Sequence, residues 1–300
     1  MTLFTPSLFR QLQRFHIIGG LLALVALLLP GCSAVKLGYN NTPELSYWWL
    51  DGYFDFNEPQ SLKLRTDLVA LQTWHRQNEL PAYISTLEKL QRLAPGNLTA
   101  DQVCRLYTDV KPRLQILVDQ IEPTIAALAP TLKTEQIEFL TRKLEKRRTK
   151  WRSEWVESSA AERSARGVKQ LLDRAELLYG RLEEQQLAVL RASVAASMFD
   201  ATISARESLR RHQDVVQTLR QLQGDGLSAG RIKTEVHGLM ARTMDSPDAA
   251  FRTYTEKMTQ ENCRTFAALH NSTTPAQRLT VVETLKDYAL DARALMEVKR

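Results

Sequence analysis

The stretch of sequence that decides the fold begins with EQIEFLTRKLEKRRTKWRSEW at residues 135–155 and continues to residue 223. No proline occurs between Pro130 and Pro247, and Gly167 and Gly180 are the only glycines within residues 135–223. The stretch is rich in Leu, Ala, Glu, Gln, Arg and Lys, which are strong helix formers. It therefore predicts consecutive long helices and an all-α fold, built as an elongated bundle or a curved array.

The remaining sequence extends this prediction in both directions. Leu64, Leu68 and Leu71 follow helical spacing, and an apolar stripe continues from Val103 to Ile121. Breaks are expected at residues 94–97, 224–226, 246–248 and 271–275, where Gly, Pro, Asn and Ser concentrate. No run of alternating β-branched residues suggests a sheet. We therefore expect residues 59–300 to form a single all-helical domain.

The amino-acid composition excludes few classes of protein. Of 300 residues, 44% are hydrophobic and 25% are charged, which is ordinary for a globular protein. The net charge of +6 permits an anionic partner without requiring one.

The N-terminal residues have the order of a targeting signal. Arg10 and Arg14 precede an uninterrupted apolar run, Ile17–Leu29, of 13 residues. A membrane-spanning helix needs about 20 apolar residues, whereas the apolar region of a signal peptide has about 7–15. The run therefore predicts a signal peptide over residues 1–31, and an uncleaved anchor helix is the alternative.

The sequence Leu29-Pro30-Gly31-Cys32 resembles a bacterial lipobox. The resemblance implies that cleavage precedes Cys32, that the Cys32 thiolate takes a diacylglycerol, and that the new amine is acylated. Ser33, rather than Asp, favours sorting to the outer membrane. The expected location is therefore the outer membrane, facing the periplasm of a Gram-negative envelope, with the bilayer as a partner through the lipid on Cys32. The alternative is an ordinary buried cysteine.

Residues 32–58 are expected to form a lipid-anchored tether followed by an aromatic-rich segment. Six aromatic residues occur within ten positions: Tyr47, Trp48, Trp49, Tyr53, Phe54 and Phe56. They predict either an interfacial aromatic belt or a segment that packs back onto the helices. The second interpretation is favoured, because acidic residues interleave the segment and an anionic membrane surface would repel them.

Two cysteines remain after lipidation, Cys104 and Cys263. An even pair in a compartment that oxidises thiols predicts a disulfide between them. The alternative is two separate buried thiols.

A cluster of cations is the main candidate binding feature. Seven basic residues occur within eleven positions: Arg142, Lys143, Lys146, Arg147, Arg148, Lys150 and Arg152. They predict either a face that binds anions or acidic unfolded clients, or a solvated helix surface. Trp151 and Trp155, one turn apart on the apolar side of this helix, are expected to be buried in both cases.

Three predicted helix starts share the form L-T-x-x-Q: residues 98–102, residues 132–136 and residues 273–277. In a capping box, the Thr hydroxyl and the Gln side chain bind each other's main-chain N–H groups. Lys133 replaces the capping Thr in the second start. The form resembles the LTxxQ motif of the Spy/CpxP group of helical periplasmic chaperone and stress proteins, although three good helix starts explain it equally well.

Over most of its length the chain resembles an uncharacterised family of proteobacterial lipoproteins. The resemblance rests on the lipobox, on the block NNTPELSYWWLDGYFDF at residues 40–56, and on the helical sequence that follows. It implies location and fold, but it implies no activity.

No sequence motif indicates catalysis. His75, His212, His237 and His270 are far apart, and no nucleophile-elbow, phosphate-loop or dinucleotide motif is present. We therefore expect a non-enzymatic envelope protein with no cofactor, metal, nucleic acid or small-molecule substrate. Its expected role is chaperone-like or stress-related binding of unfolded or anionic clients. The alternatives are a structural adaptor in an outer-membrane assembly and an enzyme with a dispersed site.

Overall fold

The computed structural model describes residues 31–224 and 226–297, with side chains from residue 35 onward. Within these residues the chain forms twelve α-helices and no strand. In chain order they are α1 (Gly31–Asn40), α2 (Thr42–Phe54), α3 (Glu58–Asn78), α4 (Leu80–Leu93), α5 (Ala100–Leu128), α6 (Thr134–Trp155), α7 (Ala160–Tyr179), α8 (Glu184–Ala195), α9 (Ala201–Leu222), α10 (Ala229–Met244), α11 (Ala249–Asn271) and α12 (Pro275–Glu297). A 3₁₀ turn, Ala129–Thr131, follows α5. The all-α helical array expected from the sequence is confirmed.

The expected signal peptide lies outside the described residues, apart from its last position, Gly31, and so does the side chain of Cys32. Among the helices that are described, none is both long enough and apolar enough to cross a bilayer.

Two prolines lie inside α5 without ending it. The helix continues through Pro112 and Pro123, although each ring removes one main-chain donor. By contrast, Pro81 lies in the first turn of α4, where a missing N–H has no intrahelical partner to lose. Pro81 therefore lies directly after a boundary between α3 and α4.

Buried apolar side chains form two clusters. One joins the start of α6 to α9 and α10, through residues such as Ile137, Leu222 and Val236. The other joins α7, α8, α11 and α12, through residues such as Tyr179 and Leu190. Helix α5 contacts α3 and α10 on one side and α11 on the other. Its 29 residues extend about 43 Å, so it connects the two regions.

The capping boxes form where the sequence predicts them, and there are more of them than the L-T-x-x-Q form reveals. Thr99 with Gln102, and Thr274 with Gln277, make both reciprocal hydrogen bonds. At the second start only half of the motif remains, with the Lys133 N–H donating to the Gln136 side chain at 2.9 Å. Two further helix starts also place a glutamine at the third position: Gln60 on α3 and Gln186 on α8.

Four of these glutamines meet in two buried pairs, which we call the N3 glutamine pairs. In the first, Gln60 Nε2 donates to Gln136 Oε1 at 3.2 Å and Gln136 Nε2 donates to Gln60 Oε1 at 2.8 Å. Each amide also donates to the carbonyl five residues before its partner. These bonds run from Gln60 to Thr131 at 2.8 Å and from Gln136 to Asp55 at 2.9 Å.

The second N3 glutamine pair repeats this pattern in the other half of the chain. Gln277 Nε2 donates to Gln186 Oε1 at 3.3 Å and to the Arg181 carbonyl at 3.0 Å. Gln186 Nε2 donates to the Ser272 carbonyl at 3.0 Å. Each of the four buried amide nitrogens donates a hydrogen bond to a main-chain carbonyl, as buried polar groups in stable proteins do. Each pair also joins the first turns of two helices.

Candidate functional site

A cavity of about 670 Å³ lies between α2, α3 and α5. Its volume falls within the range of about 300–1,000 Å³ that is typical of small-molecule sites. The lining is almost entirely apolar. Most of it comes from Pro43, Trp49, Leu50, Phe54, Phe56, Leu64, Leu68, Leu71, Leu117, Ile121, Ile125, Leu128, Leu132 and Leu219.

One end of the cavity is closed by apolar side chains. The rings of Phe54 and Phe56 stack with centroids 5.2 Å apart. Leu64, Leu128 and Leu219, all buried, complete this end. A polar group placed here would lose its water without gaining a hydrogen bond, so this end accepts only hydrocarbon.

The other end carries the polar side chains. Tyr39 Oη and His75 Nδ1 lie 3.0 Å apart, and Gln72 Nε2 donates to the Tyr39 carbonyl. The Arg76 guanidinium lies 5.6 Å from the centroid of the Tyr39 ring and donates to Asn40 Oδ1 at 3.0 Å. The lining is therefore mainly apolar, with this polar group at one end and a few further polar side chains, such as Asp67 and Thr124, along its length.

Burial sets the protonation of the polar end. It lowers the pKa of the His75 imidazole, an effect that the nearby Glu79 carboxylate partly offsets. It raises the pKa of the Tyr39 phenol, which Arg76 partly offsets. At neutral pH this end therefore presents a neutral imidazole, a neutral phenol and the Arg76 cation.

The predicted basic face on α6 is mostly paired with nearby acids. Arg148 and Arg152 have carboxylate partners at 2.6 and 3.4 Å. Arg142 and Lys150 each lie 3.9 Å from a glutamate one turn away. Within the described residues, Lys143, Lys146 and Arg147 have no carboxylate partner; Arg147 instead donates to the Tyr53 hydroxyl at 2.6 Å. Most of the stretch is thus a solvated helix face, and the three cations without a carboxylate partner are the remaining candidates for binding.

Trp151 and Trp155 are half-buried rather than buried, so that expectation was too strong. Their rings stack with centroids 6.4 Å apart, and Phe199 meets the Trp155 ring edge-on at 5.5 Å. Arg166 covers the Trp155 ring. They line a second cavity of about 660 Å³, whose surface is more polar than that of the first.

Cys104 on α5 and Cys263 on α11 form a disulfide in the structure, with Cα atoms 5.5 Å apart. The expected pairing therefore agrees with the fold. The bond links two helices that lie side by side, and its two cysteines are 159 positions apart in the sequence.

The four histidines do not come together. His270 is buried between the Tyr179 hydroxyl at 2.9 Å and the Gly96 carbonyl at 2.8 Å, which is a structural role. His237 lies beside Glu122 at 3.1 Å. In the described part of the chain, no three His, Cys, Asp or Glu side chains are arranged to hold a metal ion.

The cavity was not predicted from the sequence. The signal nearest to it was the apolar stripe from Val103 to Ile121. Leu117 and Ile121 line the cavity, whereas Tyr107, Val110 and Leu114 remain exposed. Periodicity shows that a helix has an apolar face, but it does not show whether that face meets another helix or a void.

Comparison with curated proteins and with solved structures gives no match. Residues 52–229, more than half of the chain, match a protein family model. The matched residues include α3 to α9, the basic stretch and most of the cavity lining. That match agrees with the resemblance to an uncharacterised family that the sequence suggested. The chain belongs to the DUF6279 family, a family of unknown function.

Proposed function

We propose that this chain is a non-enzymatic binding protein of the bacterial outer membrane, anchored through lipid on Cys32 and facing the periplasm. Its client is a long-chain amphiphile, a fatty acyl chain with a polar head, held in the cavity between α2, α3 and α5. The observation that carries the proposal is the mainly apolar lining of that cavity, which has the Tyr39, Gln72 and His75 side chains at one end.

The length of the cavity supports an acyl chain. From Leu64 to His75, α3 advances about 16 Å along the cavity. An extended chain advances roughly 1.2 Å per bond, so a chain of about 13 bonds reaches from the closed end to the polar end. The head group would then lie beside Tyr39 and His75, within reach of the Arg76 cation.

The lining of the cavity favours a lipid-binding role over the other roles expected from the sequence. A chaperone for anionic clients would rely on the basic face, but most of its cations already have partners. A dispersed enzyme site would need an activated group near the client. His75, the titratable group at the polar end, is engaged by Tyr39. Binding an apolar client requires none of these features, so we retain the binding role and change the client.

The test is photocrosslinking with the full chain in cells. Cells that produce the chain are given a long-chain fatty acid bearing a diazirine, irradiated, and the purified chain is digested for mass spectrometry. We expect adducts on peptides from residues 39–75 and 117–132. The mass of the adduct distinguishes a free lipid from the acyl chain attached to Cys32.

Two matched variants of α3 provide the control. Leu71→Trp puts an indole into the space that the acyl chain would occupy, and a loss of about 1.4 kcal/mol or more in binding lowers labelling by about tenfold or more. Leu62→Trp places the same indole on the outer side of α3, where Leu62 is 69% exposed, and should leave labelling unchanged. Equal labelling of both variants, or adducts spread over the whole chain, would refute the proposal.

A further inference from the structure

One face of α2 exposes large apolar side chains to solvent. Leu45, Trp48 and Trp49 follow the i, i+3, i+4 spacing that places residues on one side of a helix. Trp48 is 72% exposed and Trp49 is 59% exposed. The adjoining face carries Pro43 and Phe54, which line the cavity, and Trp49 also contributes to the lining. Helix α2 therefore has two apolar faces, and only one of them is covered within the described chain.

The leftover cations of α6 lie next to this exposed face. The Trp49 ring is 5.0 Å from the Tyr53 ring, and the Tyr53 hydroxyl accepts a hydrogen bond from Arg147. Lys143 lies one turn before Arg147 on the same side of α6 and has no carboxylate partner within the part of the chain that the structure describes. We call the exposed indoles of Trp48 and Trp49, together with Tyr53, Arg147 and Lys143 beside them, the Trp48 surface.

The acidic residues of α2 do not oppose a negatively charged partner as the sequence suggested. Glu44 forms an ion pair with Arg65, whose guanidinium also covers the Tyr47 ring. Asp51 accepts a hydrogen bond from the Phe56 N–H at 2.9 Å, which fixes the end of α2. Glu44 is therefore paired within the protein, and the charge of Asp51 is outnumbered by the cations Lys143 and Arg147.

The course of the chain identifies the partner. Helix α1 begins at Gly31, directly after the apolar run of residues 17–29. Whether that run is retained or replaced by lipid on Cys32, the chain meets hydrocarbon at the start of α1. Trp48 follows Gly31 by 17 residues, so it lies within about 26 Å of that point along helical chain.

We infer that the Trp48 surface docks flat on the anionic surface of the bilayer that holds the N-terminus. Trp and Tyr side chains favour the boundary between hydrocarbon and head groups, and Lys and Arg are attracted by anionic lipids. Docking would also bring Trp49, which lines the cavity, to the level of the acyl chains. The inference does not depend on what the cavity binds, because Trp48 does not line the cavity.

The experiment measures quenching of tryptophan fluorescence by brominated acyl chains. The full lipidated chain is reconstituted in vesicles of brominated phosphatidylcholine, with or without phosphatidylglycerol. We expect strong quenching in the anionic vesicles and weaker quenching in the neutral ones. Trp48→Phe should remove the largest single share of the quenched signal, whereas Trp151→Phe, on a half-buried residue of α6, should not reduce it.

A pair of charge reversals tests the role of the cations. Lys143→Glu should shift the docked-to-undocked ratio in anionic vesicles by about tenfold or more. Lys169→Glu reverses a more exposed lysine on α7 and should have no effect. Far-UV circular dichroism checks that each variant folds. Absence of quenching, quenching independent of Trp48, or equal behaviour of the two lysine variants would each overturn the inference.

Discussion

Replacement of Gln136 by alanine should destabilise the fold much more than the same replacement at Gln102. Both residues occupy the third position of a helix and accept a hydrogen bond from the N-cap N–H. Gln136 additionally exchanges two hydrogen bonds with Gln60 and donates one to the Asp55 carbonyl. A hydrogen bond contributes about 1 kcal/mol net, so the three additional bonds predict a difference of about 3 kcal/mol between the variants.

Urea unfolding of the full chain, followed by far-UV circular dichroism, measures this difference. Gln102→Ala should lower the free energy of unfolding by about 1 kcal/mol, the value of a capping interaction, and Gln136→Ala by about 4 kcal/mol. In a double-mutant cycle, Gln60→Ala and Gln136→Ala should couple by more than about 0.5 kcal/mol, because they contact each other. A Gln136→Ala value within about 0.5 kcal/mol of the Gln102→Ala value would refute the role assigned to the N3 glutamine pair.

The structure also predicts the direction in which three other changes alter the stability of the fold. Reduction of the Cys104–Cys263 disulfide should lower the free energy of unfolding by about 4–5 kcal/mol, because the bond closes a loop of 159 residues; an unchanged urea midpoint would contradict this. Glu207→Ala should destabilise the fold by about 3 kcal/mol, because the buried Glu207 carboxylate accepts hydrogen bonds from Arg210, Arg211 and Ser246, whereas Glu184→Ala, at an exposed pair, should change stability by less than about 1 kcal/mol. The free energy of unfolding should decrease as the pH is lowered from about 7.5 to about 5.5, because burial lowers the pKa of His270 and the unfolded chain therefore binds more protons than the folded one. An increase in the urea midpoint as the pH is lowered over this range would contradict that sign.

The helices were predictable because their signals are local. Proline-free sequence between residues 131 and 246, capping Thr residues and Gly-containing breaks act within a few positions of where they occur. The disulfide was predictable because only two cysteines remain after Cys32 is set aside. Gln60 and Gln186 escaped notice because Asn57 and Glu183, rather than Thr, precede them at the N-cap.

The cavity and the Trp48 surface were not predictable, because both depend on which helices meet. The sequence shows that α2 is rich in aromatic residues, but it offered a choice between burial and exposure. The structure divides them: Phe54 and Phe56 pack inward, and Trp48 faces solvent. The acidic residues near Trp48 made its exposure at a membrane surface look unfavourable. The sequence does not reveal that Glu44 pairs with Arg65, 21 residues away.

The N3 glutamine pairs have a consequence for how the chain reaches its fold. In each pair both amides donate to the carbonyl five residues before the partner, and at least one amide donates to the other. A folding chain therefore contains four interchangeable helix starts, and Gln60 has the chemistry to pair with Gln186 or Gln277 as well as with Gln136. Such degeneracy is a source of frustration, and it also permits two molecules to exchange matching halves. The residues that flank each glutamine, such as Phe56 and Leu182, must supply the discrimination that the amides lack. Substitutions there should produce swapped dimers before they produce unfolded monomers.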